Sequence, residues 1–353
     1  MWYDKLIANS LIPEFIIRVI LRLHFKYRLF KQPKEIEKIQ DYINNFVENM
    51  KTQPIGIGSA EANIQHYEVN TEFFQYILGK YMKYSCGYWP CSVRKRNLYK
   101  KLDESEEEML RITCQRAKIQ DNDEVLDLGC GWGSLSIYMA LNYPQCQITA
   151  ISNSATQKEY IELQIKEKNI INLKVIKADI INFQTDKKFD KIISIEMFEH
   201  MRNYELLLEN LSSFLKDKGL LFIHIFTDKS IPYYFELNNK SKWMAHYFFR
   251  GGLMPSANLL FYFSKHFFIR KVWRVNGTHY HRTLEAWLQN MKREKKKIKG
   301  IFREFYGKNK VRKWWNYWKL FFISCSEAFK YNKGSQRFIS HYLIEKRFID
   351  LVR

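Results

Sequence analysis

Four short apolar runs, separated by stretches of helical periodicity, organise the middle of this chain. Val125-Leu-Asp-Leu128 reads as a buried strand that enters a glycine-rich turn, Gly129-Cys-Gly-Trp-Gly133. Ser134 to Asn142 follows at helical spacing, offering Leu135, Ile137, Tyr138 and Leu141 to a sheet, and Pro144 stops it. Gln147-Ile-Thr-Ala-Ile151 is then a second strand, which completes a βαβ unit. Leu173 to Asp179 and Phe189 to Glu196 supply a third and a fourth. The pattern predicts an α/β fold on an open, doubly wound sheet, whose ligands gather at the carboxyl ends of the strands.

The residues at those ends narrow the ligand. Gly129, Gly131 and Gly133 let the backbone approach a bound group where a Cβ would collide. No Lys-Ser/Thr pair follows for a triphosphate, and the spacing is GxGxG rather than GxGxxG. The second strand ends in Ser152-Asn-Ser-Ala-Thr-Gln157 and not in an acid, so polar side chains must hold ribose hydroxyls. Asp179, closing the third strand, can accept a hydrogen bond from an adenine amine. With Asp127 before the glycines, the loop resembles the first motif of class I S-adenosylmethionine methyltransferases.

A wider set of segments is more specific. Glu196-Met-Phe-Glu-His-Met-Arg-Asn-Tyr204, Tyr84-Ser-Cys-Gly-Tyr-Trp89, Gly219 to His224, Met254-Pro-Ser256 and Tyr280 to Trp287 occur in this order. Together they resemble the family that joins coclaurine-type N-methyltransferases to cyclopropane fatty acid synthases, over most of the chain from about Leu23 onward. The resemblance implies a Rossmann-like, mostly parallel seven-stranded sheet with helical additions. Residues 1–83 would form an amino-terminal helical region, and 84–353 the methyltransferase domain. That domain would hold a cofactor lid at 84–92 and a helical substrate cap at about 230–330.

The resemblance also assigns residues. Tyr84, Ser85, Gly129 and Gly131 fall around the methionine part of S-adenosylmethionine, Ser152 and Gln157 on the ribose, and Asp179 at the adenine. For a small amine acceptor, Glu196, Glu199 and His200 are the catalytic set. An amine attacks the sulfonium methyl only when its lone pair is free, so a base must take the ammonium proton; histidine, with a pKa of about 6.5, is suited to it. For an unsaturated phospholipid acyl chain, Cys86, Glu199, His224 and Tyr280 would hold a bicarbonate that accepts the proton lost on ring closure. Phe226 stands where that set has an aliphatic residue. The stretch from Trp243 to Phe263 is more similar to the amine branch, so N-methylation is the expectation and cyclopropane formation the alternative. A second alternative is a non-catalytic, methyltransferase-like subunit. Singly, His200 and His224 could be packed core residues.

Composition adds two points. The cysteines, six among 353 residues, form no CxxC pair or secretory framework, so reduced thiols and a cytoplasmic, intracellular protein are expected, with no metal site. Lysine plus arginine exceed the acids, 57 against 37. Part of the excess lies in Leu11 to Phe30, where Arg18, Arg22 and Lys26 make a basic stripe beside Phe15, Ile16, Val19, Ile20 and Leu23. A larger part lies in Lys292 to Lys319, where bases alternate with Trp314, Trp315 and Trp318. Each is either a helix packed on the domain or a peripheral contact with anionic membrane. Nucleic acid is not expected as a partner, for no recognition module is present, and a homodimer is left open.

Overall fold

The computed structural model describes residues 4–9, 11–56, 70–90, 95–236 and 242–347. Of the expected features, Cys91 and the end of the lid lie outside them. β1 (Glu124–Leu128), β2 (Gln147–Ser152), β3 (Leu173–Lys177), β4 (Phe189–Ile195) and β5 (Leu215–Asp228) form a parallel array. A two-stranded ribbon, β6 (Tyr233–Tyr234) with β7 (Leu253–Met254), follows. β8 (Phe267–Val275) and β9 (Arg337–Lys346) complete the main sheet, whose order is β3-β2-β1-β4-β5-β9-β8. β9 lies antiparallel between β5 and β8. The seven-stranded, mostly parallel sheet expected from the apolar runs is therefore present.

Local chemistry fixes the connections. The helix Ser134–Asn142 leaves β1 through the glycine turn and ends before Pro144. Its inner face differs from the periodic expectation, because Leu141 is exposed while Ser136, Met139 and Ala140 are buried. The cause is polar: Ser136 Oγ donates to Asp127 Oδ2 at 2.5 Å, which turns the serine toward the sheet. Asn203 caps the helix Tyr204–Phe214 by accepting from Leu206 N, and its amide donates to the carbonyls of Lys51 and Gln53. One side chain thus starts a helix and pins the amino-terminal region to the domain.

The region boundaries are less sharp than expected. Phe73 and Phe74, on the short helix Thr71–Ile77, pack on Trp318 of the cap and on Trp132 after the glycine loop, so position 83 marks no break in the core. The segment 230–330 is likewise not one cap, since β8 within it returns to the edge of the sheet.

Both basic segments are packed on the domain. The helix Glu14–Phe30 turns Arg18 and Arg22 inward, onto Glu14, Glu285 and Glu327. Phe15, Ile16, Val19, Ile20 and Leu23 face outward, while Ile17, Leu21 and Phe25 pack inward. Glu327, on the cap helix Val311–Lys330, supplies the physical reason: its side chain is 1% exposed and requires a buried cation. In the second segment Trp315, Tyr317 and Trp318 are core, while Trp314 stacks on Tyr306. Lys295 and Lys299 lie over Trp315 from outside. No helix among the described residues is long and apolar enough to cross a membrane.

Candidate active site

One cavity of about 400 Å³ runs along the carboxyl edge of the sheet, with the glycine loop at one end and an aromatic chamber under the cap at the other. Gly129, Gly131 and Gly133 have φ of 75°, 55° and 75°, in the left-handed region that L side chains avoid. Their roles differ. A Cβ on Gly129 would strike Met197, and one on Gly133 would strike Ile161, whereas one on Gly131 would enter open space. Only Gly131 leaves a cradle for a ligand.

Around that cradle, buried polar atoms wait for partners. Gln157 Nε2, Ser134 Oγ and Trp132 Nε1 have none among the described residues. Gln157 is held from its other end, since Ser152 Oγ donates to its Oε1 at 2.7 Å. Burial pushes the Asp127 carboxyl up to about 6, against the hydrogen bond from Ser136. Asp179 lines the same cavity and accepts from Ile181 N. Tyr84 and Ser85 line it as well. The fit to a nucleoside with a charged amino acid end is good, because the open glycine and the unpartnered amide donor lie where such a ligand needs them. All eight residues expected to bind cofactor are brought to this one cavity.

The catalytic candidates follow β4. Glu196 sits in the left-handed region, φ 51°, and its N–H donates to the His224 carbonyl at 2.8 Å. This kink sends its carboxylate back under the lid. There Oε1 accepts from Cys86 N at 3.1 Å and Oε2 accepts from Tyr280 OH at 2.5 Å. Burial raises the Glu196 carboxyl, while the Lys83 ammonium and the Tyr280 hydrogen bond oppose the rise. Glu199, three residues on, is wholly buried; its Oε1 accepts from Phe226 N at 2.8 Å and its Oε2 has no hydrogen-bond partner among the described residues. Burial, then the charge on Glu196, push it well above the carboxylate range. His200 lies against Phe249, and burial lowers it to about 4. It is therefore neutral at pH 7, and burial resists its protonation while the Glu196 charge favours it.

The groups expected to hold bicarbonate are arranged differently. Cys86, through its backbone, and Tyr280 both donate to Glu196, and His224 Nε2 lies 3.3 Å from Glu196 Oε1. Behind His224 runs a buried chain: Arg116 Nη1 is 2.9 Å from His341 Nδ1, and His341 Nε2 is 3.0 Å from His224 Nδ1. Arginine can only donate, so His341 carries its proton on Nε2 and passes the polarity on, leaving the His224 proton on Nε2 beside Glu196. Three of the four groups thus converge on a carboxylate of the chain itself. Glu199 alone keeps an oxygen for something else.

Sequence reasoning missed several residues here. Lys83, 1% exposed, hydrogen-bonds Ser85 Oγ and, at 3.0 Å, the Cys86 carbonyl, placing a cation behind Glu196. A lysine just before the lid motif carries no signal of burial. Arg28 and Arg337 line the aromatic chamber, and they are separated in the chain by more than three hundred residues. Only the fold brings them together.

Comparison with known proteins identifies the family. The family model for mycolic acid cyclopropane synthetase matches residues 57–336. (S)-Coclaurine N-methyltransferase of Papaver somniferum is 34% identical over 351 residues, 98% of each chain. The crystal structure of a coclaurine N-methyltransferase bound to N-methylheliamine and S-adenosylhomocysteine covers 97% of this chain and 98% of its own, with a TM-score of 0.92 and 34% identity. Cyclopropane-fatty-acyl-phospholipid synthase of Escherichia coli is 28% identical over 227 residues, 64% of this chain and 55% of its own. On these matches the chain belongs to the mycolic acid cyclopropane synthetase family, the class I S-adenosylmethionine-dependent methyltransferases that include coclaurine N-methyltransferases and cyclopropane fatty acid synthases.

Proposed function

We propose that this methyltransferase acts on the nitrogen of a small aromatic amine. The observation that carries the reading is the place taken by Glu196. Its carboxylate uses the donors that a bicarbonate would need, Cys86 N–H and Tyr280 OH, with His224 beside them. A second anion beside a buried carboxylate would be repelled. Glu196, which lines the cavity with the aromatic walls of Phe226, Phe249 and Trp243, and Glu199, wholly buried just beyond the lining, suit a cation instead.

S-adenosylmethionine, when bound, supplies a methyl group on sulfonium that is open to in-line attack by a lone pair. The chain's own residues prepare that lone pair. Glu196, whose charged form Lys83 and the Tyr280 hydrogen bond favour against burial, attracts the ammonium form of the acceptor. The approaching positive charge lowers the cost of ionising Glu199, whose Oε2 is unpartnered, and neutral His200 stands ready to take the ammonium proton. Nitrogen gains a methyl group, sulfur loses it, and the proton remains on the enzyme until product leaves.

The test is an acceptor screen with isotopically labelled cofactor, comparing aromatic and aliphatic amines with unsaturated phospholipid vesicles. The expected product is an N-methylated aromatic amine. Loss of the acyl alkene by cyclopropanation, with all amines inert, would overturn the proposal.

A further inference from the structure

The far end of the acceptor chamber carries positive charge that amine methylation does not use. Arg337, at the start of β9, is 2% exposed. Its Nε lies 3.3 Å from Asp228 Oδ2, and its Nη1 is buried without a hydrogen-bond partner among the described residues. Arg28, on the inner face of the helix Glu14–Phe30, places its guanidinium 4.3 Å above the Tyr233 ring and makes no ion pair among the described residues. Both line the cavity, as does Tyr233. Asp228 is the nearby acid, and its Oδ1 already accepts from Ser230 N and Gln336 Nε2. Two guanidiniums, of which only Arg337 meets a carboxylate, leave this end of an otherwise aromatic chamber cationic.

The sheet sets its distance from the chemistry. β5 and β9 pair His224 with His341 and Asp228 with Arg337. Four residues of strand therefore separate the His224 beside Glu196 from the Arg337 position, roughly 13 Å along the backbone. Side chains reaching in from both ends leave the length of an aryl-alkyl scaffold.

Resting on the amine reading, we propose that Arg28 and Arg337 form an oxyanion subsite, and that the acceptor is an aromatic amine bearing a carboxylate at the end remote from nitrogen. The amine would lie at Glu196, with Glu199 buried beyond the lining, the ring in the aromatic chamber, and the carboxylate between the guanidiniums, where Arg337 Nη1 gains the acceptor it lacks. Guanidinium matches carboxylate geometry better than any other side chain does. The helix Glu14–Phe30, whose Leu21, His24 and Phe25 also face the cavity, is by this reading a wall of the substrate site.

The test compares para-(aminoethyl)benzoate with para-(aminoethyl)toluene, which differ only at the remote group. The wild-type enzyme is expected to favour the benzoate in kcat/KM by about tenfold or more, the worth of one charge-assisted pair. In Arg28→Gln the ratio should fall to about one, and Arg28→Lys should restore part of it. Arg337→Gln should act likewise where it folds. Equal kcat/KM for the two amines would overturn the subsite while leaving amine methylation standing. If neither amine is methylated, calorimetry with phenylpropionate on the enzyme saturated with S-adenosylhomocysteine separates the two ideas. Binding that weakens tenfold in Arg28→Gln supports the subsite alone, and absence of binding overturns it.

Discussion

Tyr280→Phe tests the core of the proposed mechanism with the smallest change in shape. The Tyr280 ring packs on Phe329 with centroids 4.5 Å apart, a contact phenylalanine preserves, so the loss is confined to one hydrogen bond. That bond, 2.5 Å from OH to Glu196 Oε2, is made to a buried carboxylate that burial already raises above its ordinary range. A hydrogen bond to a charged group contributes about 1.5–3 kcal/mol. Its removal should raise the Glu196 pKa by about 1 to 2 units, at about 1.36 kcal/mol per unit. Glu196 must be ionised to hold the ammonium group, so the acid limb of kcat/KM against pH should move upward by that amount. At pH below the wild-type acid limb the variant should turn over amine about 10- to 100-fold less efficiently, recovering toward high pH. Steady-state methylation of one amine acceptor, measured across pH with and without bicarbonate, is the assay. An unmoved acid limb with kcat/KM within about twofold of wild type would refute the role of Tyr280. Restoration by bicarbonate would refute the idea that Glu196 already fills the anion site.

Three further outcomes follow from the packing. Gly131→Val places a β-branched residue at φ 55°, a strain of about 1–2 kcal/mol, and fills the open cradle; the variant should fold yet show no calorimetric binding of S-adenosylhomocysteine, and retained binding would exclude the cradle as the cofactor site. Glu327→Gln removes the charge shared by Arg18 and Arg22, and should lower urea-measured stability by about 1–3 kcal/mol, discounted because Arg22 is half exposed. Burial would raise Glu327, but Arg22 and Arg18 hold it below its ordinary value, so its contribution is full above about pH 4.5 and is lost as pH falls through that lowered value. The stability gap between wild type and Glu327→Gln should close over that window, and a gap constant down to pH 2 would contradict the ion-pair account. His341→Leu leaves His224 Nδ1 without a partner in a fully buried position, and should cost about 1–3 kcal/mol in unfolding free energy; unchanged stability would exclude the buried chain as a structural unit.

What the sequence revealed follows from which signals are local. The strands β1 to β4 are apolar runs bounded by turn residues, and each lies where its run does. The residues at their carboxyl ends share one edge because parallel strands must, so the cofactor candidates could be gathered without coordinates. Helix faces were less legible. Leu141 has the spacing of a core residue, but the hydrogen bond of Ser136 to Asp127 sets the rotation of a helix only nine residues long. The helix Glu14–Phe30 reads as a basic surface stripe until Glu285 and Glu327, some 270 and 300 residues away in sequence, draw the arginines inward. Tyr280 was legible as a site residue and its partner was not. Motif order placed it near the lid, yet its bond to Glu196 depends on a left-handed residue that no periodicity announces, and that bond makes Tyr280→Phe a severe change where an uninvolved tyrosine would give a mild one.

The backbone at Glu196 gives the separation of amine and lipid chemistry a physical basis. A non-glycine residue at φ 51° costs roughly 1–2 kcal/mol, and strain of this kind persists only where the surroundings enforce it. Here the N–H to the His224 carbonyl, Cys86 N–H and Tyr280 OH all enforce it, and what they secure is a carboxylate fixed in a pocket of donors. Glu196→Gly would relieve the strain and leave the same donors facing an empty space of carboxylate size. Glu199, freed from the charge of its neighbour, would then ionise more readily, since that charge is the second cause of its raised pKa. The variant is expected to lose amine methylation and to bind bicarbonate weakly, with a Kd of about millimolar, where wild type binds none. Calorimetric titration of both proteins with bicarbonate, in the presence of S-adenosylhomocysteine, measures this. Equal binding to the two would mean that Glu196 does not occupy the anion site, and the exclusion of bicarbonate from this enzyme would need another cause.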